Sequence, residues 1–303
     1  MRYSIGIDLG GTNIKVVAVG QDGKLLFKTT AETGGDKAAD CAQNVFRQIE
    51  SVEKLMNTGA TWLGLASPGL VASSGRSMAA ISGHLDNLQD FDWADFLKPH
   101  RPFLLNDAHA ALLGEVWKGA AQGCKDVILI TLGTGVGGAF LTNGQLLRGN
   151  LGRGGHFGHM CLDIDGEPDS IGVPGTFEEA IGNRTLAKRS GGLFTSTEDL
   201  VAAFHQGDEN ASRVWLRSVY QLACAVSSLI NIVDPEVVII GGGIAKAGDS
   251  LFEPLAQYLD KMEWRPQGYR VSIVPAVLGS FAGAIGAAYN AIQTNKPEQT
   301  TLL

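Results

Sequence analysis

Two stretches of this chain repeat one another at long range, and that duplication limits the fold more than any single motif does. Leu9-Gly10-Gly11-Thr12 is matched by Leu132-Gly133-Thr134-Gly135, at an offset of 123 residues. Asp22-Gly23-Lys24-Leu25-Leu26 is matched by Asn143-Gly144-Gln145-Leu146-Leu147, at an offset of 121. One repeat of this length is a duplicated domain, because solenoids repeat every 20–50 residues or so. A chain of 303 residues agrees with two compact units, each of roughly 120–180 residues.

Each copy opens in the same way. Residues 3–8 and 14–19 read as strands, with Asp22-Gly23 as the hairpin turn into a third. Residues 127–132 and 139–141 repeat the pair, and Asn143-Gly144 repeats the turn. Further strands are expected at 61–66, 103–105, 236–240 and 271–275. Helices are expected at about 37–57, 108–118, 197–206, 211–233 and 282–293. Residues 70–102 read as irregular, and Lys296 to Leu303 as a polar, frayed tail. Strands alternating with helices give an α/β fold.

Composition removes several function classes. Lys and Arg number 24 against 31 Asp and Glu, a net charge of −7, and no basic run is long enough to follow a nucleic-acid backbone. Cys41, Cys124, Cys161 and Cys224 form no C-x-x-C pair, so neither a disulfide framework nor a thiolate zinc site is expected, and a reducing cytoplasm fits. No apolar run approaches the ~18 residues of a membrane helix, and the start of the chain has no signal-peptide character. What stands out is 40 glycines, nearly double the usual ~7%. They gather at 10–11, 133–138, 152–158 and 241–243, beside apolar strands, where backbone approaches a ligand closely.

Asp8-Leu9-Gly10-Gly11-Thr12 joins a strand-ending carboxylate to a Gly-Gly-Thr turn, a set suited to phosphate and its cation. A plain hairpin explains the glycines but not the aspartate. The second copy carries the neutral Thr131 at the position of Asp8, so one half offers a carboxylate and the other only donors, which suits Mg²⁺-nucleotide. Gly241-Gly242-Gly243 is a third point of close approach, with a simple strand turn as its alternative. Asn106-Asp107 stands between a short strand and a helix, where an aspartate serves either as N-cap or as general base. Glu178-Glu179 suits a helix N-terminus. His156-Phe157-Gly158-His159 with Cys161 offers three soft ligands without a fourth, so imidazoles bonding sugar hydroxyls are as good a reading as metal.

Taken in order, Asp8-Leu9-Gly10-Gly11-Thr12, Asn106-Asp107, Leu132 to Gly138, Gly158-His159, Glu178 and Val238 to Gly243 resemble the ROK-family sugar kinases, bacterial glucokinase-like enzymes, across nearly the whole chain. The resemblance implies duplicated actin-like ATPase (ribonuclease H-like) domains flanking a central cleft. These are a small domain at 1–119 plus a C-terminal helix at about 285–303, and a large one at 120–284. It implies ATP-dependent phosphorylation of a hexose, glucose first at its 6-hydroxyl, feeding glycolysis. Asp107 would be the base, and Asn106, His156, His159 and Glu178 would bind sugar. Gly10, Gly11, Thr12, Gly133, Thr134 and Gly135 would hold the phosphates, and Gly242 would border the adenosine. Asp8 would orient magnesium through water. A cytoplasmic homodimer follows by family analogy, and polyphosphate stays open as a second donor.

Two departures bear on substrate. The family usually has Glu-x-Gly-His where this chain has His156-Phe157-Gly158-His159. Its zinc motif, Cys-x-Cys-Gly-x-x-Gly-Cys-x-Glu, reads Asp169-Ser170-Ile171-Gly172-Val173-Pro174-Gly175-Thr176-Phe177-Glu178, without cysteines, so zinc is not expected and Pro174 is read as stiffening the loop. Other hexoses or N-acetyl-hexosamines (fructose, N-acetylmannosamine, N-acetylglucosamine) are alternative substrates, and a non-catalytic sugar sensor is the alternative outside enzymes. With only Met1 and Arg2 ahead of the first strand, the DNA-reading element of the family's repressors is not expected.

Overall fold

The computed structural model describes residues 1–35, 37–81, 84–169 and 171–295; the tail expected at 296–303 and Ser170 lie outside them. In chain order the elements are β1 (Tyr3–Leu9), β2 (Asn13–Gly20), β3 (Leu25–Glu32), α1 (Ala38–Met56), β4 (Trp62–Ser67), β5 (Leu70–Val71), β6 (Met78–Ala80), α2 (Trp93–Phe96), β7 (Pro102–Asn106) and α3 (Asp107–Lys118). The second copy has β8 (Val127–Leu132), β9 (Val136–Thr142), β10 (Gln145–Leu146), α4 (Phe177–Ile181), α5 (Leu186–Arg189), α6 (Thr197–His205), α7 (Glu209–Val233), β11 (Val237–Gly241), α8 (Asp249–Met262) and β12 (Ser272–Pro275). The helix α9 (Ala282–Thr294) follows.

The duplication is visible in the sheets. One runs β3-β2-β1-β4-β7 and the other β10-β9-β8-β11-β12, each with an antiparallel hairpin leading into parallel strands. Register makes the equivalence exact to the residue: Leu9 pairs with Ile14 as the last rung of its hairpin, and Leu132 with Val136. Four residues separate the first pair and three the second, so the second turn is one residue shorter, which accounts for half of the drift from 123 to 121. Asp8 and Thr131 occupy the equivalent rung, opposite Lys15 and Gly137.

The chain divides into two compact units. The first comprises Met1–Gly123, Arg148–Arg153 and Val277–Leu303, the second Cys124–Leu147 and Gly154–Ala276. Residues 120–123, 148–153 and 277–284, expected in the second domain, thus fall in the first unit. For the last of these the reason is Glu115, a fully buried carboxylate on α3 whose Oε1 accepts the N–H groups of Val277 (3.0 Å) and Leu278 (2.9 Å).

Each unit has its own core. In the first, Ile5, Ile7 and Leu9 of β1 pack with Val45 and Ile49 of the amphipathic α1. On the other face of the sheet lies α9, whose Ala- and Gly-rich sequence lets backbone touch backbone. A Cβ at Gly6 would stand 2.0 Å from Ala284 O, one at Gly64 2.0 Å from Ala287 O, and one at Gly286 1.6 Å from Ala110 O of α3. In the second unit β8 and β11 pack against α7 and α8 through Ile130, Val238, Leu222, Val226 and Leu255. Among the described residues α7 is long and apolar enough to cross a membrane by length and composition, and half of that stretch is buried in this core. Its polar interruptions, such as Ser218 and Gln221, hid it from a search for one continuous apolar run.

Residues 70–102 are less irregular than expected. They hold the β5–β6 pair, a single turn of helix at α2 capped by Asp92, and a buried Trp93.

Candidate active site

In the first unit the sequence-selected residues gather at the carboxyl ends of β1 and β7. Asp8 lies 3.5 Å from Lys15 Nζ across the hairpin, and a Cβ on Gly283 of α9 would be 2.8 Å from its Cγ. Burial beneath that helix pushes the Asp8 carboxyl up to about 6; Lys15 opposes the rise and Asp107 adds to it by like-charge repulsion. Asp8 and Asp107 therefore act on one another.

The N-cap of α3 is Asn106, not Asp107. Asn106 Oδ1 accepts from Ala108 N (3.0 Å) and His109 N (3.2 Å), and its Nδ2 donates to Gly69 O (3.0 Å). Asp107 is the first helical residue, with Oδ1 accepting from Ala108 N at 2.9 Å. The capping alternative considered for Asp107 is thus taken up by its neighbour. The amide of Asn106 keeps one N–H beyond these bonds. A cavity of about 1490 Å³ in the first unit touches Asn106, His109, Arg76, Arg101 and Arg148, but neither Asp8 nor Asp107.

The two glycine turns are held by their carbonyls. In the first, Thr33 donates from Oγ1 to Gly10 O (2.6 Å) and from N to Thr12 O (2.9 Å). In the second, Asn183 N donates to Gly133 O and Arg184 N to Thr134 O, both at 2.9 Å. A trans peptide points its N–H opposite to its C=O. The N–H groups of Gly11, Thr134 and Gly135 are therefore turned away from the chain that holds each turn, as an anion site needs.

The glycines of these turns have different causes. A Cβ at Gly135 would lie 2.1 Å from Glu178 Oε2, and Gly242, with φ +90°, would set one 2.1 Å from Leu132 O. The fold alone requires glycine at 242, where the clash is with backbone, whereas at 135 a side chain would displace the Glu178 carboxylate. Gly133 and Gly243 have no positive φ, and a Cβ there meets nothing within 4 Å.

Glu178, on α4, is bound on both oxygens: Oε2 accepts from Val136 N (3.0 Å) and Oε1 from Arg184. It clamps the second turn. His156 precedes, and His159 ends, a 3₁₀ turn at Phe157–His159 that is anchored by Phe157, which is buried over Gly138 and 4.6 Å from the Phe140 ring. Gly158 packs against Val136 O and Glu178, and His159 Nδ1 lies 3.3 Å from Asp169 Oδ2. So Asp8, Asn106, Asp107 and the first turn belong to one unit, and the second turn, Glu178, His156, His159 and Gly242 to the other.

A sequence model of the ROK family matches residues 4–294. The chain belongs to the ROK family. It is 33% identical to a glucokinase of Thermotoga maritima, over 94% of this chain and 95% of that one. It superposes on a ROK hexokinase from Thermus thermophilus with a TM-score of 0.83 and 30% identity, covering 96% of this chain and 98% of that one. A ROK glucokinase from Streptomyces griseus, solved with glucose and AMPPNP, gives a TM-score of 0.79 and 25% identity, covering 96% and 99%. The duplicated sheets are the actin-like ATPase fold of these ROK structures.

Among the described residues no three His, Cys, Asp or Glu side chains are grouped to hold a metal ion. A magnesium ion would then take most of its oxygens from water and phosphate, as it commonly does. Asp8, desolvated and repelled by Asp107, fits that demand, because a cation would relieve both penalties. Reading the sequence missed Lys15, Thr33, Arg184 and Asp169. Of these only Lys15 had a local signal, lying opposite Asp8 in the hairpin.

Proposed function

We propose that this ROK sugar kinase transfers the γ-phosphoryl group of ATP to the 6-hydroxyl of glucose, with Asp107 as general base. The observation that carries the reading is the division of labour at the end of β7: Asn106 caps α3, so Asp107 is not needed as the cap and lies near enough to Asp8 to repel its charge. Asp107 takes the hydroxyl proton as the sugar oxygen bonds to the γ-phosphorus and the bond to the ADP oxygen breaks. The N–H groups of Gly11, Thr134 and Gly135 hold phosphate oxygens, and Gly133 and Gly243 leave room for them to approach. Asp8 would hold magnesium through its water shell, and the ion, when bound, neutralises phosphate charge. The one N–H that Asn106 has left, with His156, His159 and Glu178, holds sugar hydroxyls.

Asp107→Asn tests this. In an assay coupled to ADP release, kcat falls at least about 100-fold while glucose affinity stays within a factor of about three. Near-full turnover in that variant would sink the general-base role. Whether glucose is preferred is read from kcat/KM across glucose, mannose, fructose and the N-acetyl-hexosamines. His156→Glu is expected to shift that ranking, since an imidazole can donate and a carboxylate only accepts.

A further inference from the structure

Asp169 is fixed more firmly than its place in a loop suggests. Its Oδ1 accepts from Ile171 N (2.9 Å) and Val173 N (3.0 Å), and its side chain is 3% exposed. The loop closes beneath it through Asp169 N to Val173 O (2.9 Å), the Pro168–Pro174 bridge and Gly175 N to Glu167 O (3.0 Å). At its base Cys161 bridges Thr176, two residues after His159. Backbone, rather than two mobile side chains, therefore sets the 3.3 Å between Asp169 Oδ2 and His159 Nδ1. Burial pushes the Asp169 carboxyl up, but the N–H groups of Val173 and Ile171, and His159 itself, outweigh it and hold the group below the ordinary carboxylate range.

An ionised carboxylate offers lone pairs only, so the imidazole atom facing it must carry hydrogen. In a neutral histidine the other nitrogen is then a bare acceptor. The His159 side chain is 45% exposed, so that second edge is open to a ligand. We infer that Asp169 is a positioning residue: it fixes His159 in the Nδ1–H form, so that Nε2 accepts a hydrogen bond from a hydroxyl of the acceptor sugar. The second half of this statement rests on the reading of His159 as a sugar ligand. It makes that contact selective for a donor, and a deoxy sugar or a carbonyl at the same point is rejected.

Asp169→Asn reverses the chemistry without changing the shape. Ile171 N and Val173 N need an oxygen at the Oδ1 position, so the amide nitrogen is forced towards His159 Nδ1 as a donor. The imidazole must then accept at Nδ1 and carry its proton on Nε2, an effect of the kind seen when the triad aspartate of a serine protease is changed to asparagine.

The test is long-range ¹H–¹⁵N correlation of the histidine side chains, recorded as the pH is raised until the spectra show a singly protonated ring. His159 is assigned by the signal missing from His159→Gln. The wild type is expected to show the Nδ1–H pattern and Asp169→Asn the Nε2–H pattern, with KM for glucose raised about tenfold or more and kcat changed by less than about threefold. An Nε2–H pattern in the wild-type protein overturns the proposal without any variant having to fold. So does an unchanged pattern in an Asp169→Asn protein whose thermal midpoint is preserved. If the tautomer reverses and KM for glucose does not move, the sugar contact at Nε2 is refuted. The spectra need no turnover, so they separate this result from a failure of Asp107 as base.

Discussion

Asp8→Asn is expected to stabilise the protein while impairing it, and the size of the gain follows from where the side chain sits. Covered by α9, the Asp8 carboxyl is raised from 3.8 to about 6. At about 1.4 kcal/mol for each tenfold change in proton affinity, that is worth about 3 kcal/mol. The sign is that of a carboxyl whose neutral form the fold prefers. Its favourable contribution is complete below about pH 4 and is lost as pH rises through 6. Asparagine resembles the neutral form at every pH. The two proteins should therefore match near pH 4, and the variant should lead by about 1–3 kcal/mol at pH 7.5, the lower figure allowing for solvent reaching the edge of the group and for the lost Lys15 contact. In a unit of this size the lead is roughly 3–10 °C in midpoint. Calorimetry of both proteins at pH 4, 6 and 7.5 reads it directly. A gap that does not widen with pH, or a wild type more stable at pH 7.5, would refute the account of Asp8 as a carboxylate ionised against its surroundings. The same variant should lose most of its kinase turnover.

Three further outcomes are expected. Gly133→Ala and Gly243→Ala should keep the wild-type thermal midpoint within about 2 °C while raising KM for ATP, whereas Gly135→Ala, which drives a methyl into Glu178, should lower the midpoint markedly in the same melts. Glu115→Gln should cost about 3 kcal/mol by denaturant titration, since Ala120 N at Oε2 and the Val277 and Leu278 N–H groups at Oε1 need two acceptor oxygens and glutamine has one. Replacing Thr33 with valine frees the carbonyl of Gly10 and should raise KM for ATP more than it lowers stability, as kinetics set beside melting curves will read.

The repeat made the architecture legible, because Gly-rich turns and Asp-Gly or Asn-Gly hairpins are local signals that survive in both copies. Most of the candidate residues could be named for the same reason. What the sequence hid were assignments fixed by distant partners. Asn106 and Asp107 are both good cap residues, and which of them caps depends on where β7 ends, settled by the bond from Asn106 to Gly69. Thr33 reaches the first turn from the far end of β3, and Arg184 the second from beyond α4; neither spacing repeats between the copies. Asp169 stood out only as a missing cysteine, and its bond to His159 needed the loop closed by pairs four to fifteen residues apart.

Helix α9 carries a cost in time. During translation β1, β4 and α3 leave the ribosome more than 160 residues ahead of it, a delay on the order of ten to thirty seconds at ordinary elongation rates. When that interval ends the second unit has every strand and helix it needs, while Gly6 and Gly64 still face solvent on the side of the sheet that α9 will cover. The half that is made first is thus the half that matures last. A released chain that stops before Ala282 should yield one protease-resistant body, the later one.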